Sequence, residues 1–309
     1  MSVNKNFNSI DFTTIIHTIQ GNSNTAILPE DDIRKKSYVK SFKFSRGKAI
    51  YQLNPNKYEN LIDNLTEYKQ TLSKILDELY IEDFISSRID VAINSTEEFD
   101  GLYKIDNYLK ELYAVHIGED NNYFTTGADF KKRSLKVSNK YKDLEIYDKE
   151  LESKGKDSAN TRIEFRFKSL GKSKSVDTVI NDIIQILDAL PKHIEKLNEI
   201  KVEQLYNQYL KETSLDYEGR ITSLHMFVSK YADHIFNTDI LKGLHNKFYS
   251  GECKNWLYRY RKSGKTLTLY SKQDIKTYIN SVKKSVKNYV NSTPKQSLSE
   301  TKKQGKKVA

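Results

Sequence analysis

Three segments of the sequence place carboxylate and phenol groups at the alternating positions that are typical of β-strands. Asp90 and Glu164 each lie where polar residues alternate with Ile, Val or Phe, and Tyr147 lies in a third such segment. Alternate side chains of a strand share one face, so we expect these groups on the polar face of a sheet. If the strands are neighbours, Asp90 and Glu164 can share a divalent cation beside Tyr147, and their oxygen ligands suit Mg²⁺ or Mn²⁺. An ordinary solvated sheet face explains the same pattern without a metal.

Basic side chains accompany these groups and suggest a polyanionic partner. Arg88, Arg162 and Arg166 share the polar positions of two of these segments. Residues 256–265 interleave aromatic and basic side chains, a pattern that stacks on bases and neutralises phosphates. The candidate DNA-binding residues of this segment are Trp256, Arg259, Arg261 and Lys262. Core anchors at helical spacing, with solvated arginines between them, explain the same segment equally well.

The net charge of +10 is concentrated at the C-terminal end of the chain. Residues 251–309 contain 15 Lys and Arg but only three acidic residues, whereas the remainder is close to neutral. This asymmetry favours nucleic acid as a partner, and a solubilising tail is the alternative. The sequence has no run of 18 apolar residues and no apolar signal region near Met1. We therefore expect a cytoplasmic protein without membrane association.

Several other kinds of site are disfavoured. Cys253 is the single cysteine, so neither an intramolecular disulfide nor a cysteine-based zinc site can form. The six histidines include no His-x-His and no His-Glu-x-x-His pattern, which argues against a hydrolytic zinc site. The chain lacks a complete phosphate-binding loop motif, and residues 170–175 contain only a fragment of one, which a flexible linker explains better.

The hydrophobic pattern predicts the elements that must position the candidate groups. Residues 1–36 are polar and are predicted to form a flexible leader, and residues 37–53 alternate as a β-hairpin. A helix that starts at Asn54–Pro55 is predicted to continue to Leu79. The further predicted elements are strands at residues 87–94, 123–126, 144–149 and 162–168 and a helix at residues 106–116.

Beyond residue 170 the apolar residues recur at helical spacing. The predicted helices comprise residues 176–190, ended by Pro191, and residues 193–211, 219–249 and 271–290. The sequence therefore predicts an α+β fold in residues 37–170, with helices on one face of an antiparallel sheet. An all-helical DNA-binding or accessory region would follow in residues 171–290, and a disordered basic tail in residues 291–309.

Four segments resemble, in the same order, the motifs of the plasmid rolling-circle replication initiator family, Rep_trans, which includes relaxase-like proteins. The segments are Ala49-Ile-Tyr-Gln-Leu-Asn-Pro-Asn-Lys, Arg88-Ile-Asp-Val-Ala-Ile-Asn, Glu145-Ile-Tyr-Asp-Lys-Glu-Leu-Glu and Arg162-Ile-Glu-Phe-Arg-Phe. The third of them is similar to the segment that carries the family's nucleophilic tyrosine. The resemblance covers roughly residues 45–170, and Glu145 replaces a basic residue of the family motif.

The resemblance implies an initiator endonuclease that binds a replication origin and nicks one strand. Tyr147 would be the nucleophile and would leave a 5′-phosphotyrosine and a free 3′-OH. Asp90 and Glu164 would hold the metal ion, and Lys149 would ease formation of the phenolate. The partners would be double-stranded origin DNA and the nicked single strand, with a host helicase and a second copy of the chain as further candidates. A non-enzymatic protein that only binds an origin or operator remains the alternative.

Overall fold

The structure is a computed structural model that describes only part of the chain. It describes residues 10–24, 26–58, 62–99, 102, 134–168, 174–212, 227, 245–247 and 272–292, and for residues 193–205, 212 and 272 the backbone only. The predictions that lie outside the described residues concern the strand at 123–126, the helix at 106–116, most of the helix at 219–249 and the tail beyond residue 292. The candidate DNA-binding residues Trp256, Arg259, Arg261 and Lys262 also lie outside them.

Seven strands form one antiparallel sheet. The strands are β1 (Phe12–Ser23), β2 (Val39–Ser45), β3 (Lys48–Leu53), β4 (Ile85–Ser95), β5 (Ser134–Ser138), β6 (Lys142–Asp148) and β7 (Thr161–Lys168). Their order across the sheet is β2-β3-β1-β4-β7-β6-β5. The strands predicted around Asp90, Glu164 and Tyr147 are therefore confirmed as the neighbours β4, β7 and β6.

The predicted hairpin is confirmed as β2 and β3. Arg46 and Gly47 connect the two strands, and both have positive φ angles, of 51° and 72°. Two successive residues with positive φ are typical of the hairpin turn whose twist matches that of the strands.

The prediction of a flexible leader over residues 1–36 is wrong for two stretches. Residues 12–23 form β1, which pairs with both β3 and β4 inside the sheet, and Glu30–Lys35 form the short helix α1. The Thr and Ile side chains of β1 have high β propensity, and Ile16 and Ile19 are buried. The polar residues that surround this strand in sequence concealed it.

The remaining helices are α2 (Leu65–Glu78), α3 (Lys149–Ser153), α4 (Val176–Glu212) and α5 (Lys272–Asn291). Asn54–Pro55 does not start the long helix, because Pro55–Lys57 form a separate 3₁₀ turn. Helix α2 starts instead after Asn64, whose side-chain oxygen accepts a hydrogen bond from the Glu67 backbone N–H at 2.9 Å. Pro191 does not end α4 as predicted, since one proline removes a single backbone hydrogen bond and the helix continues beyond it.

One hydrophobic core lies between the sheet and the helices α2, α4 and α5. As predicted, alternate residues of β4 and β7 contribute to it: Ile89, Val91, Ile93, Ile163, Phe165 and Phe167. Helix α5 contacts β1, because the Tyr278 ring packs edge-on against Phe12 at 5.8 Å and the hydroxyl groups of Ser285 and Thr14 are 2.7 Å apart. The α+β prediction is thus confirmed as a seven-stranded antiparallel sheet combined with helices.

The described helices on either side of residue 170 share this core. Leu65 and Tyr68 of α2, Ile183 of α4 and Ile279 of α5 all belong to the same buried cluster. None of the helices in the described part of the chain combines the length and the apolar character that a membrane crossing requires.

Candidate active site on the polar face of the sheet

The face of the sheet opposite the core, here called the polar face, carries the predicted groups. Asp90 on β4 pairs with Arg166 on β7, and Glu164 on β7 pairs with Glu145 on β6. Residues paired across antiparallel strands lie side by side on one face. The Tyr147 hydroxyl donates a hydrogen bond to Glu164 Oε2 at 3.2 Å. The structure therefore brings Asp90, Glu164 and Tyr147 together.

A histidine that the sequence analysis did not select completes this cluster. One ligand atom each of His17, Asp90 and Glu164 lies within 4.8 Å of the other two. Asp90 and Glu164 are buried, with exposed fractions of 1% and 5%. An imidazole nitrogen and two carboxylate oxygens fit a divalent ion, and the nitrogen favours a transition ion such as Mn²⁺ over Mg²⁺. His17, Asp90 and Glu164 are therefore the candidate metal ligands, here called the triad.

A β-bulge in β1 directs His17 toward the other two ligands. Ile16 is opposite Val91 and Thr18 is opposite Asp90, so His17 is the extra residue between two successive pairs. Such a bulge breaks the alternation of a strand and changes the direction of one side chain, often beside an active site. Ile16 and Ile19, on either side in sequence, are buried in the core. His17 and Thr18 both face the other way and line a cavity over the polar face.

Asn56 supports the bulge from a neighbouring segment. Its side-chain N–H donates to the backbone carbonyl oxygen of Ile16 at 2.7 Å and contacts the Asn54 side-chain oxygen at 3.3 Å. Asn56 belongs to the Asn-Pro-Asn segment that follows β3. This segment therefore holds the residue that precedes His17, rather than starting a long helix.

Two arginines bind the carboxylates of the triad. Arg88 donates through Nε and Nη2 to the two oxygens of Asp90, at 2.8 and 2.6 Å. Burial still raises the pKa of Asp90 above its ordinary value, although Arg88 opposes the change. Arg166 donates to Glu164 at 2.8 Å. Burial alone would raise the pKa of Glu164, but Arg166 outweighs it, and the pKa lies below its ordinary value.

Arg166 lies at the centre of several acidic groups. It approaches Asp90 at 3.6 Å, Asp143 at 3.7 Å and Glu145 at 3.9 Å, in addition to Glu164. The structure thus places Arg88 and Arg166 at the site, with their charges directed at carboxylates. Their contact with DNA stays a prediction.

His17 is neutral at physiological pH. Burial, followed by the positive charge of Lys40, lowers its pKa from 6.5 to about 4. A neutral ring keeps the nitrogen lone pair that a metal ligand needs. The Lys40 ammonium group is 3.3 Å from Nε2 of His17 and 2.8 Å from the Thr18 hydroxyl oxygen, and burial lowers the pKa of Lys40 to about 8.

Tyr147 is protonated in the free protein. Burial, followed by the charge of Glu164, raises the pKa of its phenol, and Arg162 opposes this change. The Arg162 side chain is itself buried, where it donates to Asn94 at 2.7 Å and to Asp157 at 3.1 Å. The hydrogen bond to Glu164 gives the phenol proton an acceptor.

Lys149 begins helix α3, next to the strand of Tyr147. Its ammonium group pairs with Glu152 and lies 3.7 Å from Asp157. These contacts direct its charge toward the carboxylates of the segment after β6. A role of Lys149 in forming the phenolate stays a prediction, and Arg162 is a cation that lowers the pKa of Tyr147 in the structure.

A cavity of about 500 Å³ opens over the triad. Its lining combines the triad with Tyr147, Lys40 and residues of β3, β5 and α3. This volume lies within the range of small-ligand sites and admits a nucleotide-sized group.

Comparison with known proteins shows only a weak similarity to solved structures. No protein-family model matches the chain, and no curated protein matches its sequence at a significant level. Among solved structures, the chain is similar to a rolling circle replication initiator protein from Geobacillus stearothermophilus, with a TM-score of 0.30 and 12% sequence identity. The match covers 63% of this chain and 85% of the other.

Proposed function

We propose that the protein is a DNA replication initiator that nicks one strand of an origin with Tyr147 as the nucleophile. The observation that carries this proposal is the hydrogen bond from Tyr147 to Glu164, a member of the triad. A phenol that donates a hydrogen bond to a carboxylate beside a candidate metal site is suited to attack a phosphodiester. The motif resemblance around Asp90, Tyr147 and Glu164 points to the same reaction.

In the proposed reaction, the Tyr147 oxygen attacks a phosphorus atom of the DNA backbone. The new O–P bond forms as the bond from phosphorus to the 3′ oxygen breaks, which leaves a 5′-phosphotyrosine. The phenol proton passes to Glu164 and then to water, and the 3′ oxygen takes up a proton from water. The products are one covalent adduct and one free 3′-OH that can prime synthesis. The bond energy is retained in the adduct, so the reaction needs no nucleotide triphosphate.

The residues of the triad would hold the divalent ion, Mg²⁺ or Mn²⁺. When bound, such an ion withdraws charge from a non-bridging phosphate oxygen. His17 offers a neutral nitrogen, and the carboxylate of Glu164 is kept ionised by Arg166. Arg88 and Arg166 fix the orientation of the two carboxylates, which lowers the reorganisation that ligand binding requires.

The proposed partners are double-stranded origin DNA and the nicked single strand. The net charge of +10 supports a polyanionic partner. Within the described part of the chain, the β2–β3 hairpin (residues 39–53) adds Lys40, Lys43, Arg46 and Lys48 and contains no acidic residue. A host helicase and a homodimer remain further proposals.

The decisive experiment for this function uses a supercoiled plasmid that carries the DNA flanking the gene. In Mn²⁺, we expect relaxed plasmid and protein covalently attached to a 5′ end, both visible after denaturation with detergent. A non-enzymatic origin-binding protein would shift the same DNA in a gel but leave it supercoiled and free of protein. That second result would contradict the proposed nicking activity.

A further inference from the structure

A second β-bulge directs a lysine into the same cavity. In β2, Val39 is opposite Leu53 and Ser41 is opposite Gln52, so Lys40 is the extra residue between two successive pairs. Strand β2 lies at the edge of the sheet, with β3 as its neighbour. The bulges of β1 and β2 thus bring His17 and Lys40 together, although their strands are separated by β3.

Within the described part of the chain, Lys40 contacts neutral groups and forms no ion pair. Its ammonium group lies 2.8 Å from the Thr18 hydroxyl oxygen and 3.3 and 3.4 Å from the two ring nitrogens of His17. Among the residues that the structure describes, no carboxylate lies within 4.0 Å of it. By contrast, Arg88, Arg166 and Lys149 each form ion pairs with carboxylates.

We propose that Lys40 is a catalytic residue that binds a non-bridging oxygen of the phosphate attacked by Tyr147. This inference rests on the proposed function and identifies Lys40 as a cation that contacts the reacting phosphate. A unit positive charge beside His17 opposes the binding of a metal ion alone. The same charge favours a bound phosphate, whose negative oxygens attract both cations. Lys40 therefore couples metal binding to phosphate binding.

The task proposed for Lys40, binding of the reacting phosphate, differs from the easier formation of the phenolate that is predicted for Lys149. Lys149 is the basic residue nearest to Tyr147 in sequence, but its ammonium group is held by Glu152 and Asp157. Lys40 is more than one hundred residues from Tyr147 in sequence, yet both side chains line the cavity.

The test compares Lys40→Met with Lys35→Met at pH 7. Lys35 is an exposed lysine of helix α1, outside the lining of the cavity, and serves as the control. Mn²⁺ affinity without DNA is measured by electron paramagnetic resonance. Nicking of a single-stranded oligonucleotide, taken from the site cut in the wild-type plasmid assay, is measured in a single turnover.

We expect Lys40→Met to change the two measurements in opposite directions. Loss of a unit charge beside the candidate metal ligands should tighten Mn²⁺ binding by roughly tenfold, less at high salt. Loss of the phosphate contact slows nicking by about 10²-fold or more, the usual effect of removing one donor to a reacting oxyanion. Lys40→Arg should recover part of the rate, and Lys35→Met should change neither quantity.

Two results would overturn the inference. Nicking by Lys40→Met within a few-fold of wild type would show that the phosphate does not need Lys40. Loss of both Mn²⁺ binding and nicking would show that Lys40 only shapes the bulge.

If the wild-type protein forms no adduct on any DNA, the proposed function fails, and the role of Lys40 is then decided by binding. In that case Mn²⁺ should strengthen binding of a single-stranded oligonucleotide to wild type but not to Lys40→Met. Equal strengthening of both proteins would refute the phosphate contact.

Discussion

The phenol of Tyr147 must lose a proton before it can act as a nucleophile. Burial and the charge of Glu164 raise its pKa, and Arg162 lowers it, so that the hydroxyl is protonated in the free protein. The hydroxyl donates its hydrogen bond to Glu164, whose own pKa is kept low by Arg166. One carboxylate therefore both opposes ionisation of the phenol and offers an acceptor for its proton.

We expect Glu164→Gln to abolish nicking and to lower the pKa of Tyr147. The amide keeps the size of the side chain, but it has no charge to raise the pKa of the phenol and cannot accept the proton. NMR titration of ring-labelled tyrosines measures the pKa, and the plasmid assay measures nicking. Glu145→Gln is the matched control. Glu145 lies opposite Glu164 on β6, but the phenol donates its hydrogen bond to Glu164. Nicking by Glu164→Gln at the wild-type rate would contradict the assignment.

His17 makes the stability of the protein depend on pH. Its pKa is about 4 in the folded protein and near 6.5 when unfolded, mainly because the ring is buried. Between these values the unfolded chain binds more protons, so the free energy of unfolding increases as the pH rises from 4 to 6.5.

Replacing His17 by Asn should remove this part of the pH dependence. The free energy of unfolding, measured with urea, should decrease between pH 7 and pH 4 by about 2 kcal/mol more in wild type than in His17→Asn. This figure allows for the partial exposure of the ring. Parallel stability curves for the two proteins would mean that His17 has an ordinary pKa in the fold.

Strand β1 determines whether the triad can form. Its bulge turns His17 and Thr18 to the polar face, and the carbonyl oxygen of Ile16 is held by the side chain of Asn56. A regular strand would place successive residues on opposite faces and would leave only one of His17 and Thr18 on the polar face.

We expect Asn56→Asp to loosen the bulge and to weaken Mn²⁺ binding by about 10- to 100-fold, as loss of a group that orients a ligand commonly does. Aspartate lacks the N–H that donates to Ile16 and places a negative charge against that carbonyl oxygen. Asn64→Asp is the matched control, since Asn64 uses its oxygen as the helix cap and aspartate keeps that acceptor. Equal Mn²⁺ affinity of the two variants would show that Asn56 does not position His17.

The alternating strands could be predicted from sequence, and with them part of the site. The alternation of side chains along a strand places Asp90, Glu164 and Tyr147 on one face, and in the structure their strands are neighbours. Asn56 also lies in a segment that the sequence analysis singled out, but its contact with Ile16 joins β1 to a segment forty residues away. No local pattern encodes such a contact.

The bulges could not be predicted, because each is a departure from the pattern on which strand prediction depends. The spacing of three between Ile16 and Ile19 is the local signal for the first bulge, and the polar residues around β1 obscured it. The spacing of three between Val39 and Phe42 is the corresponding signal for the second bulge, and the apparent alternation of residues 37–44 obscured it. The sequence does not distinguish Asn64 from Asn54 as the residue that caps α2, because both asparagines are plausible helix caps.

The sheet and the described C-terminal helices stabilise each other. Helix α5 packs its buried Tyr278 on Phe12 of β1, the strand that carries His17. Helices α2, α4 and α5 contribute to one core with the sheet. A substitution that disrupts the packing of α5 should therefore affect the site through β1.

We expect Tyr278→Ala to lower the free energy of unfolding by about 3–5 kcal/mol, the usual cost of removing a buried aromatic ring. Unfolding should remain a single transition in which helix and sheet signals change together. Asn280→Ala, at an exposed position of the same helix, should change stability by less than about 0.5 kcal/mol. Separate transitions for the helix and the sheet would contradict a shared core.

The proposed function depends on Tyr147, among 21 tyrosines, forming the covalent bond with DNA. Its most direct test is mass spectrometry of the adduct that wild type, Tyr147→Phe and Tyr141→Phe form with the plasmid in Mn²⁺. Tyr141 lies just before β6 and is exposed, so its substitution controls for the loss of a nearby phenol. We predict that wild type and Tyr141→Phe carry a 5′-linked nucleotide on Tyr147 and that Tyr147→Phe carries none. A 5′-linked adduct of normal yield from Tyr147→Phe, mapped to another tyrosine, would contradict the claim.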